Sequence, residues 1–189
     1  NGETVFHDKA GDRGMSQTMR HFLGGMQALM PELLLMLGPN INSFKRFVPG
    51  IFAPTVAGWG WENRSCALRV IPGSPKSQRI ECRTPGADAN PYLSLACLLG
   101  AGLHGIEQKI EPTEPVEGVI YGREHELPDR LQFPETFSQG IEQFAASAVA
   151  RDLFGDEFVD VYAQTRASQE RDFRGQVTDS ELVRFFELI

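Results

Sequence analysis

Residues 66–83, which read CALRVIPGSPKSQRIECR, predict two short strands joined by a turn. The prolines and the glycine in the middle favour a turn. Residues 79–83 alternate strictly between charged and apolar side chains, and in residues 66–70 Arg69 lies on the face opposite to Cys66, Leu68 and Val70. Successive side chains of a strand point to opposite faces, so one face of the predicted hairpin is apolar and the other is charged. The charged face and its turn carry one carboxylate among basic side chains, namely Arg69, Lys76, Arg79, Glu81 and Arg83.

This charged face has two interpretations. A carboxylate between guanidiniums is typical of a surface salt-bridge ladder, which adds little stability. It is also typical of an anion site, because guanidiniums bind phosphate and carboxylate through paired hydrogen bonds and keep their charge. In the second interpretation the basic side chains converge on one anion. Glu81 then supplies an oxygen ligand for magnesium, which accompanies nucleotide phosphates.

The charge of the 189 residues is unevenly distributed. The formal net charge is −7, yet residues 45–83 carry seven basic and two acidic side chains, and residues 107–189 carry eighteen acidic and eight basic ones. Nucleic-acid binding needs a broadly basic surface. A local basic segment in an acidic chain therefore favours a local anion site and argues against a nucleic-acid partner.

The remaining composition excludes several classes of protein. The longest weakly apolar stretch, residues 93–103, is shorter than the ~18 residues that a membrane-spanning helix needs, so no membrane association is predicted. Three cysteines without a CxxC spacing argue against a disulfide framework or a zinc site. They predict small buried thiols in a cytoplasmic protein. A start at Asn1 without a signal pattern predicts a processed chain or a piece of a longer one.

Periodicity and capping residues predict the other elements. Apolar residues from Met15 to Met30 recur every three or four positions behind the N-cap Ser16, which predicts a helix that ends at Gly38-Pro39. Asn90-Pro91 opens a second helix, to about residue 109. Further helices are predicted near 138–151 and 156–174, and a capping box at 178–181 opens the last one. The class is therefore α+β, with a loop at 40–54 and a small antiparallel sheet of strands near 55–59, 66–70 and 79–83.

The whole chain resembles the glutamine synthetase family. Residues 42–50, NSFKRFVPG, look like the glutamate-binding motif of that family. Its nucleotide and metal segments are matched in order by residues 63–65 with 68–69, then 74–76 and 79–83, and its flanking helices by residues 15–25 and 87–93. The resemblance implies that residues 1–189 form the C-terminal portion of the catalytic domain. The N-terminal β-grasp domain and the upstream metal-site segment are then absent from this sequence.

What the resemblance implies is an ATP-dependent ligase. The γ-carboxylate of glutamate attacks the γ-phosphate of ATP to give γ-glutamyl phosphate, and an amine then displaces phosphate. The implied small molecules are glutamate, an amine, ATP and Mg²⁺ or Mn²⁺. The full-length protein is implied to be a homo-oligomer.

Site roles follow from the matched motifs. Arg46 and Arg83 hold glutamate, with Arg83 beside the acyl phosphate, and Arg64 stabilises the transferring phosphoryl group. These roles agree with phosphoryl transfer, which needs mostly positioning and positive charge. The nucleotide contacts are assigned to Arg69, Lys76 and Arg79, and the metal ligand is Glu81. Two plainer alternatives stay open: an ion pair of Arg64 with Glu62, and a solvated turn position for Lys76.

Phe52 departs from the family pattern. Glutamine synthetases carry at this loop position a glutamate that helps to take a proton from ammonium. A phenyl ring cannot accept a proton, but it can pack against an alkyl group. Together with the wording GADANP at residues 86–91, Phe52 favours a γ-glutamylpolyamine synthetase or a related ligase for organic amines.

Three other functions compete with this one. They are a glutamate–ammonia ligase, a non-catalytic relative of the same fold and a guanidino kinase. The glutamate motif around Arg46 argues against the kinase, and the retained set of basic residues argues against the non-catalytic relative. Tyr121 lies where some bacterial glutamine synthetases carry a modified tyrosine, and its surroundings favour an ordinary surface position.

Overall fold

The computed structural model describes residues 4–50, 52–186 and 188. The predicted α+β class is confirmed, since a small sheet packs with eight α-helices in the described part of the chain. The strands are β1 (Trp59–Trp61), β2 (Leu68–Ile71) and β3 (Arg79–Cys82). The helices are α1 (Gln17–Leu29), α2 (Leu34–Leu37), α3 (Ile41–Arg46), α4 (Pro91–Glu107), α5 (Phe137–Ala146), α6 (Ala148–Phe154), α7 (Asp156–Arg174) and α8 (Asp179–Phe185).

The sheet has the order β1-β2-β3 and is mixed, whereas the sequence predicted a wholly antiparallel one. Strands β2 and β3 form the predicted antiparallel hairpin, with Arg69 opposite Glu81. Strand β1 pairs with β2 in parallel. Parallel strands usually need a connection of a dozen residues or more, but these strands are so short that residues 62–67 have to return only ~10 Å. Glu62, at φ +51°, starts this reversal.

Helices α1 and α4 pack against each other with their backbones in direct contact. Ser16 caps α1 and Asn90 caps α4, each accepting a backbone N–H through its side chain, as predicted. Gly25 and Gly105 face each other at the contact. A Cβ atom on Gly105 would lie 2.3 Å from the carbonyl oxygen of His21 and 2.6 Å from the Cα of Gly25. Only glycine therefore allows the two backbones to approach this closely.

Four predicted boundaries are wrong. The helix predicted to end at Gly38-Pro39 is divided into α1 and α2, and the strand predicted near 55–59 is β1 at Trp59–Trp61. Residues 41–46 form α3 where a loop was predicted, because Asn40 and Ser43 make a reciprocal capping box; Ile51 of that predicted loop lies outside the described residues. The helix predicted near 138–151 is two helices, since the chain leaves the helical conformation at Ser147 and its hydroxyl caps α6. By contrast, α7 has the predicted bounds, and Thr178 and Glu181 form the predicted capping box of α8.

The core is one cluster in which α1, the following segment, the sheet and α5 to α7 contribute buried side chains. The aliphatic run 33–37 and Trp59, Leu68 and Phe144 are almost completely inaccessible to water. Cys66 and Cys97 are buried free thiols, as predicted, and burial raises the pKa of Cys66 to about 12. Within the described residues, no helix combines the length and the hydrophobicity required to cross a membrane.

Candidate functional site

A cavity of about 580 Å³ opens beside β1 and brings together segments that are far apart in the sequence. Three of the predicted site residues line it: Phe52 from the loop after α3, Arg64 from the connection between β1 and β2, and Arg83 from the end of β3. The remaining lining residues are Arg13, Trp61, Glu62, Asn63, Ser65, Val116, Glu117, Gly118, Val119 and Tyr121.

The wall of the cavity is held by hydrogen bonds around Asn63 and Ser65. The amide nitrogen of Asn63 donates to the carbonyls of Val116 and Gly118 at 3.1 and 2.7 Å. Ser65 donates its hydroxyl to the Asn63 side-chain oxygen and accepts the N–H of Ile120 at 3.0 Å. Both polar side chains thereby fasten segment 116–120 to the connection, and Arg64 between them is left exposed.

Arg69, Glu81 and Arg83 form an ion-paired row on the charged face of the hairpin. Arg83 lies 2.9 Å from one carboxylate oxygen of Glu81, and Arg69 lies 3.3 Å from the other. The hydrogen bond from Arg83, followed by the charges of Arg69 and Arg83, lowers the pKa of Glu81. The carboxylate is therefore ionised at neutral pH and neutralises part of the positive charge around it.

Arg64 does not pair with Glu62. Glu62 forms its ion pair with Arg69 instead, and Arg64 has no ion pair with any described residue. The alternative prediction, an ion pair of Arg64 with Glu62, is therefore wrong. An unpaired, exposed guanidinium on a cavity wall is available to bind an anion.

Arg46 lies near the end of β3 but does not line the cavity. Its guanidinium donates to the carbonyl of Thr84, the residue after Arg83, and lies 5.1 Å from the centre of the Phe47 ring. Asp88 is close by and accepts hydrogen bonds from Asn40 and Ser43, both at 2.7 Å. These contacts tie the N-terminus of α3 to the loop before α4.

Lys76 and Arg79 are not gathered with the other basic residues. Both side chains are exposed at the turn end of the hairpin, and Arg79 donates to the carbonyl of Ser77 at 2.8 Å. The expected convergence of Arg69, Lys76, Arg79 and Arg83 on one point is therefore not present: only the first and last meet, at Glu81. The reason is distance along the strand, because Arg79 pairs with Ile71 at the far end of the ladder from Arg83.

The described residues do not complete a metal site. Among residues 4–50, 52–186 and 188, no three His, Cys, Asp or Glu side chains are grouped so that they could hold a metal ion. Glu81 has both carboxylate oxygens engaged by arginines. Magnesium is bound by about six oxygen ligands, so Glu81 alone does not provide the site.

Sequence reasoning missed several residues of the cavity. Arg13, at φ +49°, places its guanidinium 5.1 Å from the centre of the Trp61 ring. Tyr121, for which the sequence favoured an ordinary surface position, is half-buried at the cavity and its ring packs edge-on against Phe52. These contacts join segments about 40 to 70 positions apart, so no local pattern indicated them.

Comparison with known proteins shows to which family and to which relatives the chain is similar. Residues 1–185 match the family model described as glutamine synthetase, catalytic domain. Gamma-glutamylethanolamide synthetase GlnA4 of Streptomyces coelicolor is 47% identical over 92% of this chain and 36% of its own length. Type-1 glutamine synthetase 2 of Dictyostelium discoideum is 39% identical over 100% of this chain and 36% of its own length. A solved structure titled "Apo GmaS without ligand" superposes with a TM-score of 0.81 at 28% identity, over 97% of this chain and 41% of that one.

Proposed function

Because the chain belongs to the glutamine synthetase family, we propose that its full-length parent is an ATP-dependent ligase that joins the γ-carboxyl of glutamate to an amine. Glutamate attacks the γ-phosphate of ATP, ADP leaves, and the amine displaces phosphate from γ-glutamyl phosphate. The chain spans only 36% of the length of the Streptomyces coelicolor and Dictyostelium discoideum relatives. The activity is accordingly proposed for the parent, and the isolated chain is proposed to be inactive.

One observation carries the proposal: Phe52, Arg64 and Arg83 line the same cavity. Arg64 brings an unpaired guanidinium and Arg83 a guanidinium shared with Glu81. Preorganised positive charge of this kind stabilises the charge that develops on a transferring phosphoryl group and on an acyl phosphate. Arg46, beside the carbonyl of Thr84, is assigned to the α-carboxylate of glutamate.

Contacts to the nucleotide and the metal are proposed for four residues of the hairpin, one of which has to change its ion-pair partner. Arg69, Lys76 and Arg79 are proposed to contact ATP; Lys76 and Arg79 are exposed, whereas Arg69 has to exchange a carboxylate partner for a phosphate. Glu81 is proposed as one ligand of a Mg²⁺ or Mn²⁺ ion whose other ligands come from the rest of the parent. When bound, such an ion neutralises negative charge on the nucleotide phosphates.

The acceptor is proposed to be an organic amine. Phe52 offers an apolar ring and no proton acceptor at the cavity, and Trp61, Tyr121, Val116 and Val119 extend this apolar lining. Such a surface favours an alkyl group over a hydrated ammonium ion. The relative with 47% identity is named for an ethanolamide product. The alternative, glutamate–ammonia ligation, is represented by the glutamine synthetase of Dictyostelium discoideum.

Steady-state kinetics on the full-length parent test this acceptor. ADP release is measured with putrescine, methylamine and ammonium in the presence of glutamate, and kcat/KM is expected to be higher for the organic amines. Phe52→Glu is expected to shift the ratio towards ammonium, and Phe52→Leu, which keeps an apolar side chain, is the control that should not. A preference of the unmodified parent for ammonium contradicts the proposed acceptor but not the ligase.

The parent is further proposed to be a cytoplasmic homo-oligomer. The free thiols of Cys66, Cys82 and Cys97 support a reducing compartment. Size-exclusion chromatography with light scattering on the parent measures the assembly directly.

A further inference from the structure

Phe52 stands in an unusual position for an aromatic residue. Its side chain is 81% exposed, and its backbone has φ +59°, a conformation that costs a bulky L-residue energy. Residues 48–50 of the same loop are exposed as well, whereas the chain enters the core immediately afterwards at Ala53. The loop by itself therefore makes few packing contacts with the Phe52 ring.

The Tyr121 ring is the aromatic neighbour of Phe52 within the described part of the chain. The two ring centres are 6.2 Å apart and the planes are inclined by 84°, which is the favourable edge-to-face arrangement. The hydroxyl group of Tyr121 has no hydrogen-bond partner among the described residues. The contact with Phe52 is thus made by the ring and does not use the hydroxyl.

Tyr121 is held more firmly than Phe52. It follows Ile120, which is 3% exposed and donates its N–H to Ser65. Ser65 is bonded to Asn63, and Asn63 holds the carbonyls of Val116 and Gly118. Tyr121 is therefore fixed to the same short connection that carries Arg64. Its contact with the Phe52 ring restrains that ring, although Phe52 lies on an exposed loop.

We infer that Tyr121 is the positioning residue that holds Phe52 at the mouth of the cavity and thereby sets the selection of alkyl amines over ammonium. The inference rests on the proposed function, because it concerns the acceptor of that same reaction. An alkyl chain that packs on Phe52 benefits from a ring that is already in place, since an ordered surface loses less freedom on binding. Ammonium has no alkyl group and gains no apolar contact from the ring.

Kinetics on the full-length parent test the selection. Tyr121→Ala is expected to raise KM for n-butylamine roughly two- to tenfold, the value of one edge-to-face contact, and to raise KM for ammonium by clearly less. Tyr121→Phe is expected to restore the parent value, because it keeps the ring. Phe173→Ala on α7, an aromatic truncation outside the site, serves as the control. The inference is overturned if KM rises equally for n-butylamine and ammonium, or if KM for n-butylamine rises equally in Tyr121→Ala and Tyr121→Phe.

A second measurement does not depend on turnover. 4-Fluorophenylalanine at position 52 reports the surroundings of the ring by ¹⁹F NMR. Its chemical shift is expected to change in Tyr121→Ala, where the neighbouring aromatic ring is lost, and to stay nearly unchanged in Tyr121→Phe. An unchanged shift in both variants overturns the positioning role even if the parent uses amines. Absence of any amine turnover by the parent, with the expected ¹⁹F shifts, overturns the proposed acceptor and the selection but leaves the contact in place.

Discussion

Arg83 and Glu81 are two residues apart on one strand face, and their contact alone does not distinguish a surface ion pair from an active site. The pair is partly exposed, with 27% and 34% of the two side chains accessible. Ion pairs of this exposure contribute at most about 1 kcal/mol to the free energy of unfolding. What distinguishes Arg83 from an ordinary surface arginine is its place on the cavity wall beside Arg64.

Removal of Arg83 separates these two interpretations. In the parent, Arg83→Ala is expected to lower kcat by about two to three orders of magnitude, which is typical for the loss of a preorganised charge donor. Its effect on the free energy of unfolding stays below about 1 kcal/mol. Arg174→Ala removes a more exposed arginine from its pair with Glu170 on α7 and should leave kcat unchanged. A near-normal kcat for Arg83→Ala would return this strand to the surface salt-bridge interpretation.

Asp88 is a second carboxylate whose pKa is lowered, here by the hydrogen bond from Ser43 first, then by Asn40 and by the charge of Arg46. A carboxylate with a lowered pKa stabilises the fold above its unfolded pKa of about 3.9, and this stabilisation is lost as the pH falls through the folded pKa. In Asp88→Asn the difference in Tm from the unmodified chain should therefore be present at pH 6 and shrink towards pH 3. Because Asp88 is exposed, the difference is small.

Thermal unfolding followed by circular dichroism at several pH values measures this difference. Asp172→Asn is the matched control, since Asp172 is an exposed carboxylate on α7 without a hydrogen bond from any described side chain. It should leave Tm nearly unchanged at each pH. A Tm difference for Asp88→Asn that does not vary with pH would show that the carboxylate charge is not what Ser43 and Asn40 stabilise.

At the scale of elements, the close contact of α1 and α4 depends on Gly105. A methyl group there meets the backbone of His21 and Gly25, which cannot rotate away as a side chain could. Gly105→Ala is therefore expected to destabilise the chain by about 1–3 kcal/mol or more, the range for overpacking. Gly100→Ala, on the same helix, meets only the side chains of Phe154 and Leu153, the nearest atom at 3.3 Å. It should be neutral or stabilising by up to about 1 kcal/mol through helix propensity.

Urea denaturation of both glycine variants gives the comparison, with the midpoint reporting stability and the slope reporting compactness. A Gly105→Ala variant as stable as Gly100→Ala would mean that the two helices can separate without cost. In that case the glycine contact does not determine how α1 and α4 pack.

Elements whose signals are local were predictable, and those that depend on distant partners were not. The bounds of α7 and the capping box of α8 follow from residues within a few positions of each other. The same kind of signal exists at Asn40 and Ser43, but the nearby Pro49-Gly50 outweighed it, and α3 was predicted as loop. The parallel pairing of β1 depends on the return path after Glu62, and alternation along a strand carries no information about that path.

At the scale of the molecule, the candidate site was predictable residue by residue but not as an arrangement. Family motifs indicated Phe52, Arg64 and Arg83, and the fold brings these three to one cavity. The same motifs did not indicate that Lys76 and Arg79 lie at the opposite end of the hairpin. They also did not indicate Arg13 or the contact of Tyr121 with Phe52, because such contacts arise only when separate segments pack together.

The last prediction concerns the chain as a whole: by itself it should not turn over substrates. Within the described residues, no acidic or thiol cluster can hold a metal ion, and Glu81 is engaged by two arginines. A magnesium nucleotide needs about six oxygen ligands around its ion, and the part of the chain that the structure describes groups too few. A coupled assay for ADP release, with glutamate and either putrescine, methylamine or ammonium, should give no signal above background for the folded chain. The full-length parent in the same assay is the positive control. Turnover of the isolated chain at about 1–1000 per second, the ordinary range for enzymes, would mean that its metal and nucleotide are bound by residues other than Glu81, Arg69, Lys76 and Arg79.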